Sequence, residues 1–255
     1  MDEIDEIKRI VQTYNNRAQN SDSVGAAGQW GSNVLAPLIC DEIIKKINIT
    51  AKDKVLEIGC GSGVLGNKLK SKCEFYVGFD ASLLMLRKFQ NESGKRTHLI
   101  QATANSIPLK NNFFDIVVMN GVTMYFPSKR FLEKVLTEIE RVSSYTATIF
   151  IGENIIASRY YWELVWFQNL SPIMQVLVKP YIRIRRLLAN KSSRFAGKWK
   201  HAHKDISLQF IKKHFDGKGK VLVTDAAAFT IRQRLDAKNA KGNRRVDLLI
   251  KLKAV

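Results

Sequence analysis

Residues 55–66 read VLEIGCGSGVLG. With Lys54, the first four form a short apolar run that predicts a strand buried on both faces, and the chain passes from it directly into glycines. Gly59, Gly61 and Gly63 stand at every second position, so the backbone can turn sharply and bring main-chain N–H groups against a ligand. Val64, Leu65 and Leu69 then mark the apolar face of a helix. Gly61, Gly63 and Gly66 also satisfy the GxGxxG spacing of a dinucleotide site. That reading leaves Gly59 and Cys60 unexplained at the strand end and puts the acidic Glu57 just before the first glycine.

Similar units lie on both sides of this stretch. Upstream, Ile4, Ile7, Ile10, Val11 and Tyr14 recur at three- and four-residue spacing and predict an amphipathic helix; the Gly/Ser/Asn-rich SDSVGAAGQWGSN predicts a loop or lid. Leu35, Leu38, Ile39, Ile43 and Ile47 line a second helix. Downstream, FYVGF (75–79) is a strand ending at Asp80, followed by a helical pattern through Leu83, Leu84, Leu86 and Phe89 and a short strand at 98–101. DIVVM gives a fourth strand, Phe131 to Ile139 a helix, and TATIFI (146–151) a fifth strand. Strands alternating with helices predict an α/β, doubly wound, mostly parallel sheet covered on both faces. The last runs, KVLVT (220–224) and VDLLIKL (246–252), are separated by a polar loop and predict antiparallel pairing at one edge, for seven strands in all.

Of the 255 residues, 45% are hydrophobic and 25% charged, the composition of an ordinary globular chain rather than a disordered one. Cys40, Cys60 and Cys73 are odd in number and form no CxxC, which argues against a disulfide framework or a multi-cysteine zinc site. The start, MDEIDEIKRI, is acidic where an export signal is basic, so the expected location is cytoplasmic, with peripheral attachment to a membrane as a variant. Net charge is +18 and lopsided: residues 1–158 carry 19 basic and 17 acidic side chains, residues 159–255 carry 22 and 6. Such a field attracts phosphates on nucleic acid, an anionic membrane or a small substrate, unless it only solubilises the surface. Within it, the uncharged run Leu164–Val178 is too short to span a bilayer.

The glycine motif together with its neighbours resembles the class I S-adenosylmethionine (SAM)-dependent methyltransferases, in particular the small-molecule branch known as methyltransferase type 11. The family's E/DxGxGxG matches Glu57, Gly59, Gly61 and Gly63, with Cys60 inside the loop. The acidic end of its second strand matches Asp80, next to Ala81, and QATANSIPLKNNFFDIVVMNGV (101–122) is similar to the family's stretch before strand four. The resemblance spans about residues 50–155 and implies a Rossmann-like fold. It implies that the loop cradles the methionine and ribose parts of SAM and that Asp80 accepts hydrogen bonds from the ribose diol, with S-adenosylhomocysteine as product. Thr103 stands where the family usually has an Asp for the adenine amino group, so the adenine contact would be shared with the backbone of Ala104. Asn120 either meets the methionine end or caps its loop.

On this reading 1–255 is one methyltransferase domain: an N-terminal helix and lid (1–34), a cofactor core (35–158), a basic aromatic, helical cap resembling the variable insertion after strand five (159–205), and a return helix with the final strands (206–255). The implied reaction transfers the sulfonium methyl to an O, N or C nucleophile and requires alignment and, for some acceptors, a base; no metal is required. His201 and His203 are the candidate bases if the cap folds over the pocket, against the reading of a solvated turn. Tyr14 resembles an N-terminal tyrosine that closes over the cofactor in related enzymes, against ordinary core packing. The apolar and arginine-rich cap suits a small acceptor bearing phosphate, or an amphipathic one at an anionic membrane surface. An RNA-directed methyltransferase is the alternative, since aromatics among arginines can stack bases, although NGVT replaces the N/D-P-P-Y/F of base-amine enzymes. Two other classes are an NAD(P)-dependent oxidoreductase, for which YFPSK offers Tyr125 and Lys129 at YxxxK spacing, and a non-catalytic basic adaptor.

Overall fold

The computed structural model describes residues 2–28, 32–93, 97–155, 171, 174, 208–228, 230–231 and 245–253. Seven strands form one sheet: β1 (Lys54–Ile58), β2 (Phe75–Asp80), β3 (His98–Gln101), β4 (Phe114–Asn120), β5 (Ser143–Ile155), β6 (Gly219–Asp225) and β7 (Arg245–Leu252). Their order is β3-β2-β1-β4-β5-β7-β6, so the chain reverses direction across the sheet between β1 and β4. The first five pair in parallel, while β7 runs antiparallel to both β5 and β6 and completes an antiparallel edge. β1 and β4 are almost wholly buried, which is why their sequences are continuous apolar runs rather than alternating ones.

Helices cover both faces. On one lie α3 (Leu35–Ile47), α4 (Gly66–Leu69) and α5 (Leu83–Ser93), with Ile39, Ile43, Leu69 and Phe89 packed on Val55, Ile116, Val118 and Phe150. On the other lie α6 (Lys129–Val142) and α7 (Leu208–His214), with Leu132, Val135, Leu136, Ile139, Ile211 and Phe215 on Leu56, Ile58, Val117 and Ile149. α6 is started by Ser128, whose Oγ accepts from Phe131 N at 3.0 Å. α1 (Glu3–Asn20) is the amphipathic helix that the N-terminal spacing predicts.

Two local readings change. Within the stretch expected to be loop, Asp22 caps a short helix, α2 (Ser23–Ala27), its Oδ1 accepting from Gly25 N at 2.7 Å. Behind the glycine loop a tight turn intervenes and the helix, α4, has only four residues, too few to build a macrodipole.

Candidate cofactor site

The loop after β1 folds back toward β2. Gly59 N and Cys60 N both donate to Phe79 O, at 2.8 and 3.0 Å, and Gly61 N donates to Asp80 Oδ2 at 3.0 Å. Gly63 has φ +82°, and a Cβ there would overlap the ring of Phe89 on α5, so only glycine satisfies both backbone and packing. Asp80 is fixed from its own strand as well, Oδ1 accepting from Ser82 N at 2.8 Å. Its carboxylate is thus oriented by main-chain donors on each oxygen. Burial outweighs these donors and lifts its pKa above the ordinary aspartate value.

A cavity opens at the carboxyl ends of β1, β2 and β4, beside the point where the strand order reverses. Glu57, Gly59, Cys60, Gly61, Asp80, Ala81, Thr103, Ala104, Asn120 and Tyr14 all line it. Gly63 lies behind the loop against Phe89 rather than in the lining. Glu57 is 4% exposed and accepts from the Tyr76 hydroxyl at 2.5 Å. Burial lifts its carboxyl to about 8 despite that donor, and Asp80 adds to the rise. Burial also keeps the Cys60 thiol protonated, which makes it a poor nucleophile. Ala102 N donates to Asp80 O at 3.2 Å, and Ser106 N to Thr103 O at 3.1 Å, which carries the Thr103–Ala104 turn along the cavity wall. The segment that follows this turn is held by Arg141, which donates to Ile107 O at 2.7 Å and Leu109 O at 2.8 Å.

α1 closes the cavity from above with Ile7, Ile10, Val11 and Tyr14. The Tyr14 ring meets Tyr125 edge-on at 5.4 Å, with Arg17 stacked on it, and burial raises its hydroxyl pKa strongly, the neighbouring Tyr125 adding to the rise. Asn15 Oδ1 accepts from Ser82 Oγ at 2.6 Å, next to Asp80, and Ser62 Oγ of the glycine loop donates to Ser23 O at 2.6 Å. The N-terminal segment is thereby pinned to both loops of the site. The helical period of residues 4–14 is visible in the sequence, but its docking onto the cavity is not. Val64, Leu65, Met85 and Phe131 of the lining likewise carry no signal beyond ordinary core residues.

The lining fits SAM: main-chain turns along one wall, an oriented carboxylate for a diol, and an apolar slot beyond it. His201 and His203 lie outside the described residues, as does the cap apart from Ser171 and Met174. The oxidoreductase reading fails on geometry. Tyr125 sits in a 3-10 turn (Thr123–Tyr125) and Lys129 begins α6 with its ammonium 4.6 Å from the Phe210 ring, so the two do not share a helix.

A family model described as "Methyltransferase domain" matches residues 56–151. An uncharacterized methyltransferase, C70.08c, of Schizosaccharomyces pombe is 39% identical over 89 residues, 33% of each chain. Cyclosporin synthetase of Tolypocladium inflatum is 37% identical over 106 residues, 38% of this chain and 1% of that protein. The chain thus spans a third or less of the length of these curated relatives. Among solved structures, the Haemonchus contortus phosphoethanolamine N-methyltransferase 1, in complex with phosphoethanolamine and S-adenosylhomocysteine, superposes with a TM-score of 0.71 at 15% identity, over 100% of this chain and 50% of that one. N-methyltransferase NodS of Bradyrhizobium japonicum, in complex with S-adenosylhomocysteine, gives 0.60 at 11% identity, over 95% and 97%. With its strand order, its glycine loop and the match over residues 56–151, the chain has the fold of the class I, Rossmann-like, SAM-dependent methyltransferases.

Proposed function

We propose that this chain is a SAM-dependent methyltransferase that acts on a small acceptor. The observation that carries the reading is Asp80: it ends β2, takes main-chain donors on both oxygens from the glycine loop and from Ser82, and faces the cavity. Bound there, SAM supplies an electrophilic methyl group on a positively charged sulfur. Asp80 holds the ribose diol, the Thr103–Ala104 turn holds the adenine, and the loop from Gly59 to Gly61 lies along the methionine part. α1 excludes water, and the cavity's alignment of the acceptor against the methyl provides most of the acceleration. For an acceptor that must lose a proton, His201 and His203 of the 159–205 segment are the proposed bases, and Tyr14 the group that closes the site.

The acceptor is proposed to enter over the ends of β4 and β5 and to be small, carrying phosphate or a similar anion. The excess of 22 basic over 6 acidic residues in 159–255 supports this, as does the phosphoethanolamine bound by the Haemonchus enzyme of the same fold. An amphipathic acceptor at an anionic membrane surface is compatible with the same charge. Among the described residues no helix is long and apolar enough to cross a membrane.

Calorimetric titration with SAM and S-adenosylhomocysteine, with NADH as control, tests the reading. Both adenosyl ligands should bind, and Asp80→Ala should weaken them at least tenfold, since a charge-assisted pair of hydrogen bonds contributes about 1.5–3 kcal/mol. Folded protein that binds neither ligand would refute it.

A further inference from the structure

Glu57 and Asp80 line one cavity, and among the described residues neither forms an ion pair. The two are not equivalent. Asp80 receives N–H donors from Gly61 and Ser82, which prepare it to be an anion. Glu57 has one donor, the Tyr76 hydroxyl on Oε2, and no described group donates to its other oxygen. Among the described residues, the titratable groups around it are Tyr76 and Asp80 of β2, Cys60 of the loop and Cys40 of α3. None of them supplies positive charge. Lys68, which acts on Cys40, is paired with Asp41 at 2.6 Å, and Arg17 stacks on the Tyr14 ring. With burial lifting its carboxyl to about 8, Glu57 carries a proton in the free protein at neutral pH. A cation entering the cavity reverses that preference, because it supplies a counter-charge that the described residues do not.

Resting on the function proposed above, we propose that this cavity exchanges a proton for the positive charge of its cofactor. As SAM enters, the Glu57 carboxyl releases its proton to solvent, and the carboxylate so formed holds the cationic sulfonium form more firmly than the product, whose sulfur is uncharged. Once the methyl has left, the carboxyl takes a proton back from solvent and the product is released more readily. Glu57 acts here as a positioning charge for the cofactor and touches no reacting atom.

The test is calorimetry with SAM and with S-adenosylhomocysteine at pH 7, in two buffers of different ionisation enthalpy, for the wild type and Glu57→Gln. Proton exchange by the ligand's own amine is common to both proteins and cancels in the difference. That difference is expected to be roughly 0.9 proton released with SAM and clearly less with the product. Between pH 6 and 7.5 the wild-type Kd for SAM should tighten about twenty-fold more than that of Glu57→Gln. Equal proton counts in the two proteins, or equal release with the two ligands, would overturn the proposal. Should Glu57→Gln fail to fold, Tyr76→Phe replaces it: losing the hydroxyl that steadies the anion should move the pH profile upward, and an unmoved profile overturns the proposal. Binding of SAM without Glu57-dependent proton release defeats this inference alone. Failure of folded protein to bind either ligand at any pH defeats the methyltransferase reading as well.

Discussion

Replacing Gly63 and, separately, Gly61 with alanine separates two reasons for glycine in one loop. Both residues sit in the left-handed region, at φ +82° and +53°, where an added Cβ costs about 1–2 kcal/mol. Their surroundings differ. At Gly61 the new methyl would meet only the flexible end of Met85, at 3.2 Å, whereas at Gly63 it would overlap the Phe89 ring. That ring is fully buried, packs edge-on against Tyr76 at 6.2 Å, and would also be struck by a Cβ on Gly66, so it has little room to withdraw. Overpacking of this kind adds about 1–3 kcal/mol. Gly63→Ala should therefore lose about 2–5 kcal/mol and Gly61→Ala about 1–2 kcal/mol, which for a chain of this size corresponds to Tm decreases of roughly 5–15 °C and roughly 2–6 °C. Urea unfolding of the free protein followed by circular dichroism measures both. Equal midpoints for the two variants would refute the assignment of Phe89 as the neighbour that excludes a side chain at Gly63. Gly61→Ala should in turn show the larger loss of adenosyl binding relative to its loss of stability, because Gly61 lines the cavity and positions Asp80.

Lys46 and the buried Asp247 pair at 2.7 Å and tie α3 to β7; Lys46→Met should cost about 3 kcal/mol in urea unfolding at pH 7, and a loss below 1 kcal/mol would refute the pairing. Burial lifts Asp247 to about 6, above its unfolded value near ~3.9, so the folded protein favours the protonated form. Its contribution to stability is complete below pH ~4 and falls by up to about 3 kcal/mol as pH rises through 6; this slope should vanish in Asp247→Asn. Arg141→Ala releases Ile107 O and Leu109 O together and should destabilise by about 1–2 kcal/mol, weakening adenosyl binding through the Thr103–Ala104 turn; unchanged S-adenosylhomocysteine affinity would sever that link. Tyr14→Ala should speed S-adenosylhomocysteine dissociation in stopped-flow experiments, while Tyr14→Phe, which keeps the edge-on contact with Tyr125, should change it by less than about threefold.

The sequence by itself determined the order of strands and helices through the apolar periods, and the cofactor loop, because alternate glycines between a buried strand and an apolar helix face admit few backbones. It also placed Asp80 at a strand end, since a parallel strand in a doubly wound sheet presents its carboxyl end to the ligand crevice. Tertiary structure alone decided the rest. That β7 inserts between β5 and β6, that α1 lies over the cavity and anchors through Asn15 while α2 anchors through Ser23, and that Phe89 presses on Gly63 are matters of which faces meet, and hydrophobic period records a face but not its partner. The electrostatic setting of Glu57 belongs to the same class: the sequence places an acid in the glycine motif, but only its burial beside Tyr76 and Asp80 lifts its carboxyl.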